Sequence, residues 1–262
     1  MANNLSTIGF EFADEQEMLV TLTELAGRAV EMLATRSGEY AIWRSRTGAE
    51  IWFHLGPQTA PGQEREIVGL TPCFQGRSEA RVKLTRAVQR PTDNAFEGAF
   101  TAWMSPDEET GEGCYPLAFE AADFAAHAGC ALPAVRRVQL VAFARELKAF
   151  RSGAEYEAQQ TSEPRLAAKA FIPIGLLAAA SAEGESDAPP EGTSASHVLL
   201  TGRVKETSRL VNEATGRAFV WVLVESLEAT FDVVADPEVV GGEIIKGGAV
   251  EVMASLFGRI LD

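Results

Sequence analysis

The chain has 262 residues, of which 46% are hydrophobic and 23% are charged, proportions that exclude a wholly disordered or fibrous protein. Its 37 acidic and 23 basic residues give a net charge of −14, which disfavours a cationic surface that wraps around phosphate backbones. The length fits one large domain or two ordinary ones.

Cysteine usage and the N-terminal composition indicate the compartment. Cys73, Cys114 and Cys130 are odd in number and far apart, as in a protein of a reducing environment rather than a disulfide scaffold. Residues 1–6 are polar and do not have the basic and apolar regions of a signal peptide. The longest apolar stretch, 170–180, is too short to span a bilayer. We therefore expect a soluble cytoplasmic protein that does not associate with membranes.

Residues 1–177 are predicted to form an α+β domain, in which one long helix packs on a mixed sheet. Residues 7–12 have the composition of a short strand. Asp14 lies three residues before Glu17, which is close to the spacing of a capping box with Asp as the N-cap. Apolar residues then recur every three or four positions up to Leu33, which predicts a helix over residues 14–33.

A β-hairpin is predicted after this helix. Segments 39–46 and 49–55 are strand-like and flank Thr47-Gly48, and each strand carries a tryptophan, Trp43 or Trp52. If the helix leaves one face of the hairpin open, these rings would contact a partner; a sheet enclosed in the core is the alternative. The other elements predicted in this domain are strands at 66–74, 79–88, 96–104, 115–120, 135–143 and 170–176, helices at 121–128 and 144–160, and a loop at 57–62.

The composition changes sharply at residues 178–196, which contain four acidic residues, no Lys or Arg, and the pair Pro189-Pro190. Such a segment buries too little apolar surface to offset the entropy lost on ordering it. We predict a flexible acidic linker, with a long surface loop inside one domain as the alternative. The chain is thereby divided into 1–177, 178–196 and 197–262. No internal sequence repeat is recognised.

Residues 197–262 are predicted to form a small β-barrel. Strands at 197–208, 218–224, 229–235 and 249–260 are separated by a turn at 212–216 and by two glycine pairs. The succession TGRVKE, NEATGRAFVWVLVE and GGAVEVMASLFGRI resembles the OB-fold in its strand rhythm. The resemblance covers these residues alone, and an SH3-like barrel is the alternative architecture.

The OB-like resemblance implies a binding face, because OB-folds bind oligonucleotides, oligosaccharides and proteins. Phe219 and Trp221 are two residues apart and share one face of a strand, where they would stack on bases. Arg203 and Lys205 would contact phosphates. The same two rings would equally fill the barrel interior or a protein interface, and the acids interspersed among the basic residues would repel phosphate.

Common catalytic motifs are not found: the sequence has no GxSxG, no GxxxxGK[ST] and no GxGxxG. Glu120, Asp123 and His127 lie among aromatic residues and are the best candidates for acid–base chemistry. His127 is three residues from Cys130, but nothing in the spacing of His and Cys residues requires a zinc site. We predict no cofactor and no bound metal.

The favoured interpretation is a non-catalytic binding protein with a protein partner. The residues predicted to contact the partner are Trp43, Trp52, Arg203, Lys205, Phe219 and Trp221. Single-stranded nucleic-acid binding through the C-terminal barrel is the first alternative. An enzyme with a site near Glu120, Asp123 and His127 is the second. The sequence does not indicate the oligomeric state.

Overall fold

The structure is a computed structural model that describes residues 3–58, 65–161, 163, 165–182 and 194–262. Most of the predicted linker at 178–196, and part of the predicted loop at 57–62, lie outside the described residues. The described residues form four α-helices: α1 (Glu15–Ala26), α2 (Phe124–His127), α3 (Gly153–Gln159) and α4 (Ile174–Ala182). Among the described residues, none of these helices has the length and apolarity that crossing a bilayer requires.

Strands dominate the molecule. A four-stranded antiparallel sheet has the order β1-β2-β3-β4, and a ten-stranded sheet contains β5 to β14. The strands of the first sheet are β1 (Glu31–Thr35), β2 (Gly38–Arg44), β3 (Ala49–Leu55) and β4 (Ile67–Phe74). The strands of the second are β5 (Ala80–Val88), β6 (Ala99–Met104), β7 (Pro116–Ala121), β8 (Ala134–Phe150), β9 (Ala170–Ile172), β10 (His197–Val211), β11 (Ala218–Glu225), β12 (Thr230–Ala235), β13 (Val240–Gly241) and β14 (Ala249–Ile260).

The ten-stranded sheet closes on itself twice. In the first ring, β5, β6 and β7 pair antiparallel, β7 runs parallel to the end of β14, and β8 pairs with both β14 and β5. In the second ring, β10, β11 and β12 pair antiparallel, β12 runs parallel to β8, and β14 pairs with both β8 and β10. Each ring therefore has five strands, and β8 and β14 belong to both.

The pairing order of the first ring repeats in the second, although no sequence repeat marks it. β5, β6, β7 and β8 correspond to β10, β11, β12 and β14, and each set of four receives its fifth strand from the other set. Residues 197–262 supply four strands of the second ring, and β8 supplies the fifth. Strands from both sides of the predicted linker therefore share one sheet.

Apolar side chains from both rings form one continuous core. Leu84 and Phe119 come from the first ring, Val222 from the second, and Leu140 and Leu256 from the two shared strands, all fully buried. Alternate residues of the shared strands and of β11 point to the opposite face. There the four-stranded sheet, α1 and the N-terminal turn cover them, in a second apolar cluster that includes Phe53, Phe143 and Phe219.

Two N-terminal predictions are wrong in part. The strand predicted at 7–12 is a 3-10 turn, Ser6–Ile8, whose Ile8 carbonyl accepts a hydrogen bond from Asn212 Nδ2 at 2.9 Å. The helix predicted over 14–33 begins as expected, with Asp14 accepting from the Glu17 amide at 2.8 Å, but ends at Ala26. Leu33 belongs to β1 instead, because pairing with β2 brings its side chain against the core beside Tyr40.

The helix predicted at 144–160 is also wrong over its first half. Residues 144–150 continue β8, because β14 pairs with β8 over its full range, Ala249–Ile260, and so reaches Phe150. The helical part, α3, begins at Gly153 after Ser152, whose hydroxyl accepts from the Glu155 amide at 3.1 Å. Likewise, the strand predicted at 170–176 ends at Ile172, and α4 follows it into the first residues of the predicted linker. The architecture is β-rich with few helices.

Candidate functional site

A polar cleft of about 310 Å³ lies where β4 meets the seam of the two rings. This volume is at the lower end of the range of small-molecule sites. Its lining combines charged, hydroxyl and amide side chains from distant parts of the chain: Asn4, Thr71, Arg90, Glu97, Glu120, Arg145, Ser194, Ser196, His197 and Ser255.

One wall of the cleft is a closed ion-pair network around Glu120, on β7. Arg90 donates from Nη1 and Nη2 to the two oxygens of Glu120, at 3.0 and 2.8 Å, in the fork geometry that favours guanidinium–carboxylate pairs. Its Nε donates to Asp93 at 2.9 Å. The hydroxyls of Ser194 and Ser196 donate to Glu120 Oε1 at 2.7 and 3.2 Å. Every oxygen of Glu120 is therefore engaged, and the wall is held rigid.

Beside this network lies a row of polar side chains on three adjacent strands, and the middle strand, β14, also pairs with the strand of Glu120. His197, at the start of β10, is the register partner of Ser255 on β14, and Ser255 is in turn the partner of Phe143 on β8. The pairing of β8 with β14 shifts here, since Met253 faces Glu146 and Ala254 faces Ala144. Arg145 is the extra residue of this bulge, and a bulge redirects the side chain it carries.

Hydrogen bonding distinguishes the members of this row. Arg145 donates from Nη2 to Asn4 Oδ1 at 2.8 Å, which fixes the guanidinium at the edge of the cleft. Ser255 is 5% exposed, and its hydroxyl makes no hydrogen bond to any residue that the structure describes. The His197 ring likewise makes none within the described part of the chain. Ser255 and His197 therefore offer polar atoms to whatever occupies the cleft.

The electrostatics of the row reflect its partial burial. Desolvation lowers the pKa of the His197 imidazole, and the neighbouring Arg145 charge lowers it further, while Glu120 acts in the opposite direction. Desolvation also lowers the pKa of Arg145. His197 is therefore neutral at pH 7 and presents one donor nitrogen and one acceptor nitrogen.

Behind the cleft, a buried histidine supports the β4 wall. His54 on β3 lies 3.0 Å from Thr71 Oγ1 through Nε2 and 3.2 Å from Asn94 Nδ2 through Nδ1. Its ring stacks on Phe96, with 5.2 Å between centroids. Burial lowers the pKa of His54 to about 4, so this ring is also neutral at pH 7. Thr71 joins the supporting layer to the cleft surface.

The aromatic residues predicted as partner contacts are parts of the core in this structure. Trp43 and Trp52 of the hairpin are 4% and 5% exposed, and the Trp52 indole donates to the buried Glu50 at 3.0 Å. Phe219 is fully buried and Trp221 is 5% exposed. Both lie under the four-stranded sheet, because that sheet covers the outer face of the second ring. Their faces are therefore largely enclosed by the protein, and their role in binding stays a prediction.

Arg203 and Lys205 are exposed on β10, as a backbone-contacting role would require. Lys205 forms an ion pair with Glu225 of β11 at 2.8 Å, and Lys169 contacts the same carboxylate. These two lysines lower the pKa of Glu225 to about 2. The single carboxylate of Glu225 offsets only part of the charge of Lys169, Lys205 and Arg203. None of these residues lines the cleft.

The three residues predicted for acid–base chemistry do not form one site. Glu120 lines the cleft. Asp123 Oδ2 accepts from the Ile260 amide at 2.8 Å and lies 3.3 Å from His127 Nε2, one turn along α2. Asp123 Oδ1 is buried without a hydrogen-bond partner among the described residues. Neither Asp123 nor His127 lines the cleft.

Cys130 shares a turn with His127, whose carbonyl accepts a hydrogen bond from the Cys130 amide at 2.9 Å. Within the ranges described above, no group of three or more His, Cys, Asp or Glu residues is arranged to hold a metal ion. Cys73 is buried, whereas Cys114 is exposed and Cys130 is half-buried, and all three are free thiols.

Sequence reasoning missed most of the cleft. Arg90, Arg145 and Ser255 carry no motif, and Arg145 falls in a segment predicted as helix. A strand prediction extended through residues 144–150 would place Arg145 on the same sheet as Ser255 and His197. Comparisons with protein family models, with curated proteins and with solved structures return no match to the chain.

Proposed function

We propose that the protein is a non-catalytic binding protein and that its ligand is a small polar molecule held in the cleft between β4 and the ring seam. The observation that carries the proposal is the pair Ser255 and His197, whose polar atoms line the cleft without protein partners among the described residues. His197 is half-buried, and polar groups that converge on a concave site without partners of their own indicate a ligand site.

The state of Glu120 supports binding rather than acid–base chemistry. A general acid or base must exchange a proton with a substrate within hydrogen-bond reach. Glu120 instead accepts hydrogen bonds from Arg90, Ser194 and Ser196. The carboxylate therefore positions its neighbours and shapes the cleft.

A ligand-observed NMR screen of the full chain against small polar metabolites tests the proposal. We expect ligands that bind wild type and fail to bind His197→Trp, because the indole fills the cleft. His127→Trp is the matched control, since His127 lies outside the cleft lining and is partly exposed. Ligands that bind all three proteins equally would contradict the assigned site, and turnover of a bound ligand would contradict the non-catalytic role.

We also infer that the second ring is OB-like, with β8 in the place of its fifth strand. Support comes from the closed five-strand pairing and its single parallel contact, between β12 and β8. Single-stranded nucleic-acid binding remains the second proposal. Exposed Arg203 and Lys205 support it, while the burial of Phe219 and Trp221 weighs against it. Salt-sensitive binding of labelled single strands by the full chain, lost on Arg203→Gln, would favour it over the cleft.

A further inference from the structure

We infer that the cleft binds a short peptide in the extended conformation, which adds a strand to the free edge of β4. This inference rests on the proposed binding role of the cleft and names the class of its ligand. Extended peptides bind sheet edges through main-chain hydrogen bonds, which requires unpaired N–H and C=O groups on an accessible edge strand. β4 presents such groups inside the cleft.

β4 is an edge strand of the four-stranded sheet. Among the described residues it pairs with β3 and with no other strand. Leu70, Thr71 and Pro72, in the middle of β4, line the cleft. The middle of this free edge therefore borders the cleft.

The register decides which backbone groups of β4 point away from β3. Directly after the strand, the Gln75 amide donates to the Gly48 carbonyl at 2.7 Å, so this pair is hydrogen-bonded. Hydrogen-bonded and non-hydrogen-bonded pairs alternate along an antiparallel ladder, so the pairs that Phe74, Pro72 and Leu70 form with β3 are non-hydrogen-bonded. The N–H and C=O groups of Leu70 and the C=O group of Pro72 therefore point away from β3.

Side-chain amides satisfy the outward carbonyls on either side of this stretch. Asn94 Nδ2 donates to the Val68 carbonyl at 3.4 Å, and Gln139 Nε2 donates to the Phe74 carbonyl at 3.1 Å. Within the part of the chain that the structure describes, the outward groups of Leu70 and Pro72 have no such partner. Pro72 is buried and Leu70 is half-buried, and backbone groups in such positions are normally paired. The three groups therefore indicate a ligand that supplies two donors and one acceptor.

A rigid layer holds this edge in place. His54 Nε2 lies 3.0 Å from Thr71 Oγ1, and the His54 ring stacks on Phe96. Asn94, which bonds to the Val68 carbonyl, also lies 3.2 Å from His54 Nδ1. An edge that is fixed before binding loses little conformational entropy when a ligand arrives, which favours affinity.

The ligand that fits this edge is short. In antiparallel pairing, the N–H and C=O of one ligand residue bond to Leu70, and the N–H of the residue two positions earlier bonds to the Pro72 carbonyl. Three extended residues, which span about 10 Å, supply all of these groups. The cleft volume of about 310 Å³ is that of a site for a small ligand. A free tripeptide, rather than a strand of a folded partner, is therefore the expected occupant.

The test uses the full chain labelled with ¹⁵N, and its probe is a randomised library of N-acetylated tripeptide amides. We expect the amide signal of Leu70 to shift saturably and its hydrogen exchange to slow, because a ligand carbonyl accepts from this amide. The exchange rate of the Thr71 amide, which bonds to β3, should stay unchanged. The strongest tripeptide is then resynthesised with an N-methyl group on each residue in turn.

N-methylation distinguishes ladder pairing from other modes of binding. A methyl group on the first or third residue removes a donor to Pro72 or Leu70 and should weaken binding about tenfold. A methyl group on the second residue, whose N–H points away from β4, should have little effect. Any other pattern, including equal losses at all three positions, would contradict strand addition at this edge.

Two substitutions at one position test the edge itself. Leu70→Pro removes the outward N–H, and proline is tolerated at an outward position of an edge strand, as Pro72 shows. We expect Leu70→Pro to weaken tripeptide binding about tenfold. Leu70→Ala is the matched control, because it shortens the side chain at the same place but keeps the N–H, and it should bind like wild type. Equal binding by wild type and Leu70→Pro would overturn the inference.

The outcomes separate the inference from the proposal beneath it. A metabolite that binds in the cleft, while no tripeptide does, would overturn the peptide inference and leave the binding proposal standing. If neither the metabolite screen nor the tripeptide library yields a ligand, both are contradicted.

Discussion

His54 is held without charge in the layer behind the cleft, where burial lowers the pKa of its ring to about 4. In the unfolded chain the His54 ring binds a proton near pH 6.5, whereas in the folded chain the same ring binds one only near pH 4. The free energy of unfolding therefore falls as the pH drops through this window, because the unfolded state takes up the proton first. The full loss attributable to His54 is about 3 kcal/mol.

This gives a test at the residue scale. Urea denaturation of wild type between pH 7 and pH 4 should show a decrease in stability that is smaller by about 3 kcal/mol in His54→Asn. The asparagine variant starts from a lower stability at pH 7, because it loses the stacking on Phe96. His127→Asn is the control, and an equal pH dependence in all three proteins would show that His54 is not the group responsible.

Single residues of the cleft were beyond prediction for a physical reason. Arg90 and Glu120, or His197 and Ser255, meet only because strands distant in the chain pair in a particular register. No spacing along the chain encodes that register. The face shared by Phe219 and Trp221 follows from the two-residue period of a strand, but which layer covers that face does not. Both rings carry the burial expected of large aromatic side chains, inside the chain's own core.

Elements show a sharper division between what local sequence determines and what packing determines. The start of α1 depends on neighbours within one turn, and the Asp14 cap is present with its hydrogen bond to the Glu17 amide. The end of α1 depends on β2. Leu33 continues the three- and four-residue spacing of the helix, but its backbone pairs with Tyr40 of β2 and so belongs to β1. The same competition extends β8 to Phe150, because β14 offers a register partner to every residue from Ala144 to Phe150 except Arg145.

The cap provides the prediction at this scale. Asp14→Ala should lower the free energy of unfolding by about 1 kcal/mol, since it leaves an amide of the first turn unpaired. Glu15→Ala, in the same turn and exposed, is the matched control, and its effect should be a few tenths of a kcal/mol. Chemical denaturation measures both, and equal losses in the two variants would contradict a specific cap.

At the scale of the whole molecule, β8 and β14 make the two rings interdependent. Neither ring closes without a strand from the other half of the chain. The apolar core runs through both interiors without a break. Stability should therefore be shared, and damage to one ring should appear in the other.

Leu84→Ala in the first ring tests this coupling. The side chain is fully buried, and its truncation should cost about 2–5 kcal/mol. Hydrogen exchange followed by mass spectrometry should then show faster exchange in β11 and β12 of the second ring by the same factor as in β5 and β6. Leu19→Ala, at a position that is 65% exposed on α1, should change neither. Acceleration confined to the first ring would contradict a shared unfolding unit.

β8 from the first set of strands completes the second ring, and β14 from the second set completes the first ring. This exchange has the connectivity of a strand-swapped dimer within a single chain. Two copies of a four-strand unit, each completing the other, would form this pair of rings. In a pair of identical units both outer faces would be equivalent. Here the sheet formed by β1 to β4 covers one of them, and Ser194 and Ser196, just before β10, line the cleft. A pair of rings with matching strand order therefore carries one asymmetric pocket.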